Sequence, residues 1–179
     1  MEDIQIEKYI DLCKQGSKEA FGYIMSEYQQ MVYALAFRLL CNNADAEDIT
    51  QDTFIKVWQN IDRYKSQYKF STWIYKIASN ACCDKLRSER NIKKIPLEDY
   101  DTVSQTNQEE NLHNKELKKI ILTLTNGLPA KQKLVFTLSD IEDLEVNEIQ
   151  LITGLTAAKI KSNLYVARKY IKSKISSYE

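Results

Sequence analysis

Apolar residues recur along most of this chain at spacings of three and four, the period of a helix that buries one face. The stretch FSTWIYKIASNACCDKLRSER, residues 70–90, carries the pattern most sharply. Phe70, Trp73, Ile74, Ile77, Ala78, Ala81 and Cys82 share one broad face. Lys76, Asn80, Cys83, Arg87 and Arg90 follow at offsets of four, three, four and three and share the other. The same reading predicts helices over roughly 4–14, 17–41, 44–61 and 71–91, the last with Ser71 as its N-cap. CNNADAED reads as a turn and a helix start, with Asp45, Glu47 and Asp48 suited to the positive end of the helix dipole. Between the third and fourth helices, DRYKSQYKF is basic and aromatic and has no clear period.

The pattern then stops. PLEDYDTVSQTNQEENLHNKE (96–116) is acidic and amide-rich with few apolar anchors, the composition of a flexible linker. Helical spacing returns near residue 115, and LTNGLPAKQKLVFTLSDI predicts a turn followed by a helix with Pro129 near its start. The last segment divides at TGLT into a short helix and a longer one. In the longer helix Ile160, Leu164, Ala167 and Ile171 form the inward stripe, leaving Ala158, Lys161, Ser162, Tyr165, Arg168, Lys169 and Lys172 outside. Two helices around a glycine-containing turn, the second basic on its outer face, describe a helix-turn-helix. A plain helical hairpin with a solvated charged face is the competing reading. The expected architecture is all-α: a helical domain over 1–94, an acidic linker over 95–116 and a helix-turn-helix domain over 117–179.

Composition agrees, since 4 glycines and 2 prolines in 179 residues argue against an all-β or loop-rich chain. No stretch approaches the ~18 to 20 apolar residues of a membrane span, and MEDIQIEKYI lacks a signal-peptide core, so a cytoplasmic protein is expected. The four cysteines, Cys13, Cys41, Cys82 and Cys83, lack metal-ligand spacing, and the sole histidine, His113, sits in the polar stretch. Neither zinc nor a structural disulfide is expected, and the thiols read as reduced and mostly buried. With no glycine-rich phosphate loop either, nothing points to an enzyme or to a cofactor.

A formal net charge of zero hides a segregated distribution. Residues 1–60 carry 5 positive and 10 negative side chains, whereas 61–94 carry 9 and 3. The acidic surplus returns over 95–130, at 3 and 6, and 131–179 carries 8 and 6. Cations therefore concentrate around the aromatic loop and its helix, and again in the helix-turn-helix.

Three stretches, DAEDITQDTFIKVW (45–58), FSTWIYKIASNACCDKLR (70–87) and LPAKQKLVFTLSDIEDLEVNEIQLITGLTAAKIKSNLYVARKYI (128–171), resemble bacterial RNA polymerase sigma factors of the extracytoplasmic-function group. The resemblance covers nearly all of 5–175 apart from the linker. It implies a sigma region 2-like domain over 1–94, which docks on core RNA polymerase and opens the minus-10 element. A region 4-like domain over 117–179 would read the minus-35 element. The implied partners are core polymerase, promoter DNA and an anti-sigma protein that holds the factor inactive. The docking set on the third helix is Asp45, Asp48, Ile49, Asp52 and Lys56.

Strand opening needs a platform that replaces lost stacking and holds the displaced strand. Unstacking a base costs a few kcal/mol, and an aromatic face returns roughly 1–3 kcal/mol per base. Tyr64 and Tyr68 among Arg63, Lys65 and Lys69, with Lys76, Asn80, Lys85, Arg87 and Arg90 on the adjoining helix, supply such a platform. Base-reading positions on the recognition helix are Thr156, Ala157, Lys159, Lys161 and Ser162, with Asn163, Arg168 and Lys169, and Lys161 again, meeting phosphates. The chain departs from the family's pattern where Asp143 replaces a common glycine, Gln150 a common alanine and Asn163 a common arginine. Trp58 and Trp73 read as core residues. The alternatives are a helix-turn-helix regulator that acts without polymerase and a helical adaptor with no DNA role.

Overall fold

The protein is described by a computed structural model over residues 2–92, 120, 124–125 and 127–176. The expected linker and His113 lie outside the described residues, as does the side chain of Arg90. The elements are α1 (Glu2–Lys14), α2 (Lys18–Leu40), α3 (Asn43–Asn60), α4 (Phe70–Ile92), α5 (Ala130–Phe136), α6 (Val146–Thr153) and α7 (Ala157–Ile175). Among the described residues there is no strand.

Local chemistry fixes the helix ends. Ser17 caps α2 by accepting from the Ala20 N–H at 3.2 Å, and Asn42 caps α3 by accepting from the Asp45 N–H at 3.2 Å. Between them Cys41 stops α2 in the left-handed region (φ 56°), donating its N–H to the Phe37 carbonyl at 2.7 Å. The α4 start differs from the sequence expectation: the Trp73 N–H donates to the Lys69 carbonyl at 3.3 Å, so Ser71 lies inside the first turn and does not cap it.

α4 is the centre of the packing. Phe70, Ile74, Ala78, Ala81 and Cys82 are buried on the expected face, against α2 and α3. Trp73 and Ile77 are half-buried, and Thr72, Tyr75 and Ser79 are buried as well. At Thr72 and Tyr75 the cover comes from the C-terminal half, because α6 and the turn before it pack on α4. One apolar cluster consequently runs from Ile24, Leu35, Val57 and Ile74 through to Leu138, Ile149, Ile152 and Ile160. Each fully buried Ile or Leu contributes roughly 1.5–3 kcal/mol, so this shared seam is a substantial fraction of a domain's stability.

In the C-terminal half, α5 runs into a π-helical turn over Thr137–Ile141. Asp143 reverses the chain in the left-handed region (φ 53°), with the Leu144 N–H closing back on the Leu138 carbonyl at 3.0 Å. The α6–α7 turn passes through Gly154 (φ 69°), and Thr156 caps α7 through the Lys159 N–H. Ile160, Leu164, Ala167 and Ile171 are all buried, and the seven outward positions expected on α7 are all exposed.

Candidate nucleic-acid interface

The loop before α4 is built around one tyrosine and presents another. A short 3-10 turn, Ile61–Arg63, turns the chain after α3, and the Tyr64 N–H donates to the Ile61 carbonyl at 3.1 Å. The Tyr64 ring is buried, 4.9 Å from the Phe70 centroid and 5.5 Å from that of Trp73. Its hydroxyl donates to the Tyr68 carbonyl at 2.6 Å, closing residues 64–68 into a small ring. Tyr64 therefore anchors the loop and offers little face to a base. Tyr68, 46% exposed, is the aromatic surface the loop displays.

Around Tyr68 the structure gathers much of the expected set. Arg63, Lys65, Tyr68, Trp73 and Lys76 line a cleft of about 190 Å³. On the other side of the loop, Tyr68, Ser66, Gln67 and Lys69 line a more polar cleft of about 260 Å³ that reaches Tyr28 and Glu7. Asn80, one turn beyond Lys76, is exposed. Lys76 and Asn80 make no side-chain ion pair or hydrogen bond among the described residues.

The remaining α4 cations are differently placed. Lys85 lies nine residues past Lys76, roughly 14 Å along the axis. It pairs with Asp45 of α3 at 2.6 Å, joining one residue expected to meet DNA to one expected to meet polymerase. Arg87 pairs with Asp84 at 2.9 Å on its own helix. Lys69 pairs with Glu148 of α6 at 3.0 Å. Burial raises the Cys82 thiol to about 12 and also raises that of half-buried Cys83, where Arg87 and Lys131 partly oppose it.

On α3 the expected docking set divides. Asp48, Asp52 and Lys56 are exposed, Ile49 is buried in the core, and Asp45 is held by Lys85. Beside Asp52 lies an apolar groove of about 470 Å³ between α2 and α3, formed by Phe21, Met25, Phe54, Ile55 and Trp58. Ile55 is 54% exposed. Sequence reasoning missed Ile55 and Met25, although Ile55 was detectable as an apolar residue three positions past Asp52 on the polar stripe.

On α7, Lys159, Lys161, Ser162 and Lys169 are exposed, as is Thr156 at the cap. Ala157 is half-buried. Asn163 donates its side-chain amide to the Lys159 carbonyl at 2.7 Å, and Arg168 pairs with Asp140 at 2.8 Å. Among the described residues no helix is long and apolar enough to cross a membrane, and no group of His, Cys, Asp and Glu could hold a metal ion.

Comparison with known proteins bears on these surfaces. The family profile for Sigma-70 region 2 matches residues 24–92, and that for Sigma-70, region 4 matches residues 118–171. The chain is 30% identical to the ECF RNA polymerase sigma factor SigW of Bacillus subtilis, over 97% of this chain and 98% of that one. It is 28% identical to the ECF RNA polymerase sigma-E factor of Haemophilus influenzae, over 97% of each. Among solved structures it is similar in fold to CnrH, in complex with the cytosolic domain of CnrY, with a TM-score of 0.72 at 16% identity, over 96% of this chain and 97% of that one. The sigma factor RpoE of Bartonella quintana, in complex with the anti-sigma factor NepR, gives 0.69 at 22% identity, over 87% and 96%.

Proposed function

The chain belongs to the extracytoplasmic-function (ECF) group of sigma-70 family RNA polymerase sigma factors, and on that premise we propose how its surfaces divide the work of initiation. It is a transcription initiation factor that binds core RNA polymerase and directs it to specific promoters. Its own contribution is recognition and strand capture, with the chemistry left to the polymerase.

In this reading the N-terminal half docks on polymerase through the exposed face of α3. Asp48 and Asp52 supply charge, and the groove around Ile55 supplies apolar area. The minus-10 strand, once unpaired, lies across Tyr68, with Arg63, Lys65 and Lys76 on its phosphates and Asn80 on a base edge. The recognition helix α7 enters the major groove of the minus-35 element, presenting Thr156, Lys159, Lys161 and Ser162 at its N-terminal end. An anti-sigma protein is the expected regulatory partner.

The observation that carries the reading is the exposed Tyr68 ring, ringed by unburied cations and fixed by the buried Tyr64 hydroxyl bond. A helix-turn-helix regulator acting alone would need neither this platform nor the α3 face. The test is to add the protein to core polymerase and map transcript starts on genomic templates. New starts sharing two upstream elements are expected; no gain of specific initiation would contradict the assignment.

A further inference from the structure

Cys41 and Lys133 bring a thiol and a primary amine into contact. Cys41 ends α2 in the left-handed region, and the next residue, Asn42, caps α3, so backbone bonds on both sides fix where the sulfur sits. The thiol donates to the Arg38 carbonyl at 3.8 Å, and the Lys133 ammonium of α5 donates to the sulfur at 3.5 Å. The thiol proton is thus turned toward α2 and a sulfur lone pair toward the amine. Negative charge that develops on the sulfur as the proton leaves is met by the ammonium, the setting in which a thiol attacks as a thiolate. Cys41 is 9% exposed and Lys133 is half-buried, so the sulfur sits at the margin of the core, within reach of an oxidant little larger than water. The other three thiols differ. Cys13 and Cys82 are more deeply buried, burial pushing Cys82 up to about 12, and the Cys83 thiol is raised as well. Among the described residues none of these three makes a hydrogen bond to an amine.

We propose that Cys41 and Lys133 are a peroxide-responsive pair that condenses to a sulfenamide, a reversible covalent tie between the turn after α2 and α5. In the first step hydrogen peroxide oxidises the thiol: Cys41–SH and H2O2 give Cys41–SOH and water. In the second the Lys133 amine, having released its ammonium proton to solvent, attacks the sulfur. The S–N bond forms, the S–O bond breaks, and the hydroxyl leaves with an amine proton as water. Peroxide is the oxidant consumed, and it is reduced to water. A thiol reductant opens the S–N bond, returning the amine and leaving a mixed disulfide that a second equivalent reduces. The amine takes the part of a resolving cysteine, capturing the sulfenic acid before further peroxide carries it to the sulfinic stage. The tie spans 92 positions of the chain and leaves Asp48, Asp52, Tyr68 and Lys76 exposed. Closing so long a loop restricts the unfolded chain far more than the folded one, so the tied protein should unfold at a higher temperature. None of this depends on the surfaces assigned to polymerase and promoter.

The test treats the full chain with hydrogen peroxide, with and without dimedone to trap sulfenic acid, then alkylates free thiols and analyses peptides by mass spectrometry. Without dimedone, the parent should yield a linked peptide pair joining Cys41 to Lys133, lighter than the sum of its parts by two hydrogens. Dithiothreitol should separate the pair, and before reduction the unfolding midpoint should rise. Lys133→Arg keeps the charge but sets a poor nucleophile beside the sulfur, so the pair should vanish and the dimedone adduct on Cys41 should rise severalfold. Cys41→Ser should lose both the pair and the peroxide-dependent rise in midpoint. Parent protein unfolded in urea and treated alike should form no such pair, because the contact belongs to the fold.

The linked pair in the parent decides the claim even where a variant folds poorly. A parent in which Cys41 stays a thiol, or goes on to the sulfinic acid with no linked pair, would overturn the proposal. A pair that forms equally in urea, or that joins Cys41 to another lysine, would overturn the role given to this contact.

Discussion

Tyr64 and Tyr68 sit four residues apart in one loop, and their neighbourhoods assign them opposite work. Tyr64 is 8% exposed and commits its hydroxyl to the Tyr68 carbonyl, so Tyr64→Phe should cost about 1 kcal/mol of stability. Tyr68→Ala should change stability by under about 0.5 kcal/mol and act on the opened promoter. Chemical denaturation of the two variants distinguishes them, and equal destabilisation would contradict the division. The sequence placed both rings in a basic loop, but no spacing rule indicates which ring folds inward. Asp143 is the second informative residue. A non-glycine residue in the left-handed region costs about 1–2 kcal/mol, and glycine gives back roughly 0.5–1 in chain entropy. Asp143→Gly should therefore stabilise the chain by up to about 1 kcal/mol, with a rise of roughly 2 °C in Tm. A fall in Tm would mean that the aspartate side chain contributes more than its backbone conformation costs.

At the scale of elements, periodicity located the helices because each buries an apolar stripe against another. The inward set of α7 and the Phe70–Cys82 face of α4 followed directly. What periodicity could not register was a second buried face on α4, because Thr72, Tyr75 and Ser79 are polar or amphipathic and read as surface. Charge patterning was similarly incomplete on α3. The acidic spacing located the helix face, but the buried position of Ile49 and the Asp45–Lys85 pair depend on tertiary packing. The exposed remainder makes a specific prediction. Ile55→Asp, at a position 54% exposed, should leave the unfolding midpoint nearly unchanged. It should weaken binding to core polymerase by about tenfold, the effect of losing roughly 1.4 kcal/mol at a central interface position. Asp48→Lys/Asp52→Lys should weaken it in a salt-dependent way. Fluorescence anisotropy of the labelled factor against core polymerase measures both, and unchanged affinities would move the docking surface off α3.

For the whole molecule, the order of segments was legible and the association of its halves was not. An acidic, amide-rich stretch between two helical patterns predicts two units, and nothing in either unit's sequence announces that they share a core. The contacts that join them, from Glu142 to Arg38 and Tyr75 and from Glu148 to Lys69, span tens of residues and follow no local rule. In the proposed function this chain, once on polymerase, holds an unpaired strand on the loop 61–69 and α4. Permanganate reactivity of promoter thymines, read beside gel-shift affinity for the same complexes, tests it most directly. The parent holoenzyme should render minus-10 thymines reactive. Tyr68→Ala and Asn80→Ala holoenzymes should bind the same promoter with similar affinity and leave those thymines protected. Normal reactivity in both variants would place strand capture elsewhere and contradict the account.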